Sequence, residues 1–240
     1  MKKSLRILLI CFAIILAAWV IARLTGALQP YKIATPANEP SLKVGQYFWV
    51  SNLKDYSRGS FITYTNKRLD SLIATFMENN KPGAHYIYRL CGIPGDVIEM
   101  KNGVFFVNGQ NFDEELNLNN QFKLSAKDID MIDEEDKPRN DYDMQYYGQN
   151  RDSVIVNLDK LLLKKYQSKI KCTPYIRTDT VRGPFKWLDK NTTWTDDNFG
   201  PLKIPAGNYF GLGDSRHNAL DSRYTGFIKK EDIKGVVLNK

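Results

Sequence analysis

Most of the residues able to do chemistry fall in three short stretches: PANEPSLKVGQYFWVS (36–51), YRLCGIPGDVIEMKNGVFFVNGQ (88–110) and GLGDSRHNALDSRYTGFIKKEDIKG (211–235). Each mixes hydroxyl, basic or acidic side chains with Gly or Pro, the residues that set loop geometry. Asp221 and Arg223, two residues apart among turn residues, suit a charged hydrogen-bonded pair that braces a loop. An exposed ion pair at the same place would contribute little. The hydroxyls of Thr35 and Ser41, with Lys81 and His85 further along, raise the question of acyl transfer. A serine hydroxyl attacks only when a nearby base takes its proton, a lysine is that base only when burial lowers its pKa, and the oxyanion needs two aimed donors. Metal chemistry has less support. With only His85 and His217, with Cys11, Cys91 and Cys172, and with no Cys-x-x-Cys, neither a metal site nor a cofactor is expected. The acidic run DIDMIDEEDKPRNDYD (128–143) lacks the spacing of a calcium loop and reads as solvated.

Such residues need a scaffold. At 240 residues, 42% hydrophobic and 25% charged, the chain can bury one sizeable core or a core plus an insert, and it is too apolar for disorder. Short runs rich in aromatic and β-branched residues predict strands at 46–51, 61–65, 85–91, 97–100, 104–107 and 208–212. Asn102-Gly103 and Asn108-Gly109 predict two tight hairpin turns. Helical spacing links Leu69, Leu72, Ile73, Phe76 and Met77, and again Leu158, Leu161, Leu162 and Lys165, as packing faces. The expected fold is mainly β. Its parts are a tip and anchor at 1–28, a β core from 29–110 and 193–240, and an inserted α+β subdomain at 111–192.

The anchor follows from ILLICFAIILAAWVIA (7–22), an uninterrupted apolar run that residues 24–28 extend to spanning length if Arg23 snorkels. Lys2, Lys3 and Arg6 precede it, which predicts a cytoplasmic N-terminus and an outer location for the rest. A signal peptide cut after Val20-Ile21-Ala22 is the competing reading, but the run is long for one and has no polar region before the cut. The net charge of +7 comes with scattered lysines and no nucleic-acid module, so a membrane and not a nucleic acid is the expected anionic partner. Cys91 and Cys172 are free to form a disulfide outside the cell, or Cys91 to stay a buried thiol in its apolar frame.

In this order, behind an anchor, the three stretches resemble the type I signal peptidases, membrane-bound serine endopeptidases that remove signal peptides from exported proteins. The resemblance implies a signal-peptidase-like β-rich core, a serine nucleophile deprotonated by a lysine, an extended peptide bound as an added strand, and a bacterial-type cytoplasmic (inner) membrane. The family's P-S-G-S-M-x-P-T-L corresponds to ATPANEPSL (34–42), which puts Ala37 at the nucleophile position. Its K-R-x-x-G-x-P-G-D corresponds to YRLCGIPGD (88–96), which puts Tyr88 at the general base. Its G-D-N-R-D-N-S-x-D-S-R retains Gly213, Asp214, Arg216, Asn218, Asp221, Ser222 and Arg223, but Ala219 replaces the serine that orients the lysine and His217 replaces an acid. Gln46 and Ser60 also depart from the family pattern.

The oxyanion donors that the resemblance implies, the Ala37 N–H and the Thr35 hydroxyl, remain, as does a scaffold of Arg89, Gly213, Asp214, Asp221, Ser222 and Arg223. No neighbour replaces the lost pair. Ser41 lies about 12 Å from position 37 along an extended chain, His85 faces away from Tyr88 in a strand, and a Pro-Gly turn separates Lys81. The expectation is a signal peptidase I-like membrane protein without Ser/Lys activity. It would bind signal peptides or extended strands and would assist or compete with an active peptidase or the secretion machinery. An active peptidase with another nucleophile, and a membrane-tethered interaction module, are the alternatives.

Overall fold

The computed structural model describes residues 3–75, 82–137, 144–147, 152–180 and 183–238. The apolar run forms α1 (Lys3–Thr25), long and apolar enough to cross a membrane and with none of its residues buried. Gly26, at φ +78, ends it in the left-handed conformation that suits glycine, and Leu28 N donates to Ala22 O at 3.1 Å. Asn52 then ties the helix end to the sheet, its N donating to Gly26 O at 3.2 Å and its Nδ2 to Thr25 O at 2.8 Å.

The strands are β1 (Gln29–Lys32), β2 (Tyr47–Ser51), β3 (Phe61–Thr65), β4 (His85–Gly92), β5 (Val97–Lys101), β6 (Val104–Val107), β7 (Gln110–Asn111), β8 (Asn119–Ser125), β9 (Met144–Tyr147), β10 (Ser153–Asp159), β11 (Cys172–Pro174), β12 (Phe199–Lys203), β13 (Asn208–Leu212), β14 (Ile228–Lys229) and β15 (Ile233–Val237). Four short helices stand among them: α2 (Lys67–Ala74), α3 (Ala126–Ile129), α4 (Lys160–Tyr166) and α5 (Ser222–Thr225). A seven-stranded antiparallel sheet runs β1-β2-β15-β3-β4-β13-β14, and two four-stranded sheets run β12-β5-β6-β7 and β11-β8-β10-β9. The fold is mainly β, as expected, and every strand predicted above is present within a residue or two. Both Asn-Gly turns take positive φ at each residue, 50 and 79 at Asn102-Gly103, 52 and 79 at Asn108-Gly109, the geometry that matches strand twist in a tight hairpin.

Strand alternation gives β4 two different faces. Tyr88 and Leu90 join Ile62, Tyr64, Leu69 and Val236 in one buried cluster, while Ile87 packs with Ile33, Leu42, Phe48 and Phe61 in another. A third cluster, built on Phe105, Phe185, Phe199 and Phe210, fills the space under the β12-β5-β6-β7 sheet. The β11-β8-β10-β9 sheet, spanning 119–174, has its own cluster of Leu124, Val154, Val156, Leu158 and Tyr166.

Some expectations change. Leu158 lies in β10, not in a helix, because SVIVNLD alternates with period two up to Asp159, whose carboxylate caps α4 by accepting from Leu161 N and Leu162 N. Leu161 is 65% exposed, so the packing stripe runs through Leu162 and Leu163. Phe76, Met77, Lys81 and residues 138–143 fall outside the described residues. The 128–137 part of the acidic run is not simply solvated: Asp133 and Asp136 accept the Tyr166 hydroxyl at 2.7 Å each, and Lys165 Nζ sits 3.2 and 2.6 Å from them. Cys91 and Cys172 are both free thiols, and burial pushes the Cys91 pKa up to about 12.

Phe210 is fully buried and stacks on Phe105 and Phe185 at 6.2 and 6.4 Å. Phe210→Ala is expected to cost about 3–5 kcal/mol, read as a lower urea midpoint for the full chain in detergent.

Candidate functional site

The first stretch leaves β1, passes the exposed Thr35, and tightens into a single 3₁₀ turn at Pro36–Asn38, closed by Glu39 N donating to Pro36 O at 3.0 Å. Pro36 supplies the φ that starts the turn, and the Thr35 side chain does not cap it. Ala37 is buried, and its carbonyl accepts from Ser215 N of the third stretch at 3.1 Å.

Arg89 joins all three stretches. From β4 its Nε and Nη2 donate to Asp214 at 2.7 and 2.5 Å, its Nη2 reaches Ser41 Oγ at 3.2 Å, and its Nη1 reaches Gly59 O at 2.9 Å. The guanidinium lies 4.3 Å from the Phe61 ring centroid, so its flat face rests on an aromatic while its edge is fully used. Asp221 and Arg223 form the second pair, at 2.9 and 2.8 Å and entirely buried. Asp221 also accepts from Gly213 N at 3.1 Å, and Arg223 donates to Arg216 O and to Asp196 O. The pair thus clamps both ends of the 213–223 loop. Burial opposes the charge on Arg223, but the Asp221 carboxylate outweighs it and the pKa rises. Ser222 Oγ accepts from Gly211 N at 3.0 Å.

Between these clamps Ala37, Tyr88 and Ala219 come together in one buried apolar cluster. Gly213 seals the contact: a Cβ there would stand 2.5 Å from both Ala37 O and the Ala219 Cβ, and 3.4 Å from the Tyr88 ring. Burial, and then the nearby Asp221, push the Tyr88 pKa well above its ordinary value. His85 touches Tyr31 instead, away from the face that carries Tyr88. Among the described residues no lysine is buried.

The partners of several buried residues are not legible in the sequence. Arg216 forms a bidentate pair with Asp113 at 2.7 and 2.6 Å. His217 Nε2 contacts Asp197 at 2.9 Å, and its Nδ1 accepts from Gln121 N at 3.3 Å. Arg177 donates to Asp196, Gln121 Oε1 and His217 O. These partners come from 113–197, mostly the segment expected as an insert, and no local sequence pattern relates them to the last loop. The odd signal available was the charge of Arg177 and of Asp196-Asp197 beside aromatic residues.

A model of the family described as signal peptidase, peptidase S26, matches residues 4–239. The chain belongs to that signal peptidase family. Signal peptidase I P of Bacillus subtilis subsp. natto is 27% identical over 213 residues, covering 88% of this chain and 76% of the relative. Signal peptidase I of Buchnera aphidicola subsp. Baizongia pistaciae is 26% identical over 245 residues, covering 95% and 73%. A signal peptidase I crystal structure from Enterococcus faecalis V583 is 19% identical with a TM-score of 0.35, covering 77% of this chain and 98% of that one. Within this member of the family, the three stretches that carry the resemblance are the ones tied together by Arg89 and Asp221.

Asp221→Asn leaves Arg223 charged and buried without its counter-ion, and is expected to cost about 3–5 kcal/mol. Combining Asp221→Leu with Arg223→Met should cost less than the two single changes added, in a double-mutant cycle by urea unfolding. His217 has its pKa lowered by burial, against the pull of Asp197. The unfolded chain therefore takes up a proton below about pH 6.5 that the folded chain refuses. Stability is expected to fall with pH below that point, and His217→Gln should remove this part of the slope.

Proposed function

We propose that this chain is a single-pass membrane protein whose outer domain holds extended segments of exported precursor proteins without cutting them, and so modulates an active signal peptidase or the secretion machinery. The carrying observation is the joint burial of Ala37, Tyr88 and Ala219 in one apolar contact, at the positions corresponding to the family's nucleophile, base and base-orienting serine. A methyl group cannot attack a carbonyl. A phenol with a raised pKa stays protonated at neutral pH and takes no proton from a neighbour.

Among the described residues the neighbourhood supplies no replacement. Ser41 accepts a bond from Arg89, which cannot act as a base. Both His217 nitrogens are engaged, with Asp197 and with Gln121 N. A lysine base would have to be buried, and none of the described lysines is. These points weigh against a peptidase with an unrecognised nucleophile.

Binding keeps better support. Thr35 is exposed beside the Ala37 turn, and β13 pairs with β4 only at Arg89–Gly92, so among the described residues His85–Ile87 has β3 on one side and no strand on the other. That arrangement suits β-strand addition. The reading as a membrane-tethered interaction module draws on the filling of the site by Tyr88, but it leaves this open edge without a use. Lys3 and Arg6 at the start of α1, ahead of its apolar run, favour a cytoplasmic N-terminus and a domain on the outer face of the cytoplasmic membrane. Trp49, exposed on β2 three residues before the Asn52 that bonds the end of α1, suits the headgroup region.

A fluorescein-labelled signal-sequence peptide titrated into the full chain in lipid nanodiscs should give saturable anisotropy, competed by unlabelled peptide. The peptide should be recovered intact by mass spectrometry. A linear, non-competed signal would remove the binding reading.

A further inference from the structure

β1 and β4 are separated by three strands in the order of the large sheet, yet the Tyr31 hydroxyl of β1 is hydrogen-bonded to His85 Nδ1 of β4, with the rings 5.4 Å apart. The strands β1-β2-β15-β3-β4 therefore curl until the outer edge of β1 faces the open edge of β4, with no ladder between them. Backbone alternation shows which groups line this seam. Leu90 exchanges bonds with Gly59 and Ser60 on the β3 side, so Tyr88 and Tyr86 point that way and the peptide groups of Ile87 and His85 point into the seam. Ile33 exchanges bonds with Gly45 and Gln46 on the β2 side, so Lys32 and Ala34 present theirs to the seam from across it.

One of those groups is already taken. Asn38, 1% exposed, donates its Nδ2 to Ile87 O at 2.8 Å, while its Oδ1 is buried with no partner. A carboxamide is a peptide group in miniature, so Asn38 gives Ile87 the bond that the N–H of an incoming strand would give. An unsatisfied buried acceptor is unfavourable, so the Asn38 side chain is not there for its own hydrogen bonding alone. The Tyr31–His85 contact spans the same seam one step along β4.

We propose that these two contacts form an autoinhibitory strap: the Asn38 carboxamide stands in for a peptide strand at Ile87, the Tyr31–His85 bond holds the two edges together, and an extended peptide binds by displacing them. The proposal rests on the reading that this domain receives an extended peptide. It makes the resting protein a weak binder, with an affinity set by side chains outside the apolar cluster that holds Ala37, Tyr88 and Ala219.

The test uses the full chain in nanodiscs, the fluorescein-labelled signal-sequence peptide, and the variants Asn38→Leu and Tyr31→Phe. Each hydrogen bond removed should tighten binding about three- to tenfold. Equal affinity of wild type and both variants would overturn the strap. Two readouts need no peptide: the His85 Nδ1 nitrogen shift should move in Tyr31→Phe, and amide exchange at residues 85–88 should quicken in Asn38→Leu. If peptide binds none of the proteins but both readouts change, the strap stands as a self-closure and the peptide reading fails. If neither readout changes, the strap is overturned whatever the peptide does.

Discussion

A bidentate ion pair with almost no access to water, Arg89 on Asp214, is the constraint on which the site depends. Its arginine comes from β4, its carboxylate from the loop after β13, and the same guanidinium reaches Ser41 in the first stretch. Charges buried this deeply are tolerated only when each donor and lone pair is used, and here Gly59 O and the Phe61 ring complete the shell. Asp221–Arg223 repeats the arrangement one loop further on, holding Gly213 N and Arg216 O. Because both pairs are costly to break and well satisfied when made, they fix three distant segments of chain to one another.

Within that frame, the contact among Ala37, Tyr88, Ala219 and Gly213 is a small piece of hydrophobic core. Tyr88 brings a large ring where two methyl groups leave room, and Gly213 gives up its side chain so that the ring and the Ala37 carbonyl can approach. The three side chains are mutually consistent in packing terms: a lysine on β4 would need a partner for its charge, whereas the neutral phenol of Tyr88 needs no counter-ion to be buried. On the proposed reading, the frame that holds the site is separable from the site's chemistry, and this chain keeps the first with other residues in the second.

The fold was legible where local rules dominate. Asn-Gly pairs gave the hairpins, β-branched and aromatic runs gave the strands, and the Asp221–Arg223 spacing gave its ion pair. Leu158 misled because a strand and a capped helix abut at Asp159, so residues from two elements fall by chance at helical spacing. The partners of Arg89, Arg216 and His217 were out of reach, since Asp214, Asp113 and Asp197 lie 125, 103 and 20 residues away and no local pattern relates them. The segment at 111–192 read as an inserted subdomain, yet Asp113, Gln121 and Arg177 within it, with Asp196 and Asp197 just beyond, hold the last loop.

Turnover decides the central claim. A purified pre-protein with an intact signal sequence, incubated with the unaltered full chain in nanodiscs and followed by mass spectrometry, should keep its full mass however long the incubation. Release of a mature fragment at a rate proportional to the amount of this protein would contradict the account, because it would require a nucleophile and a base that the contact of Ala37, Tyr88 and Ala219 does not provide.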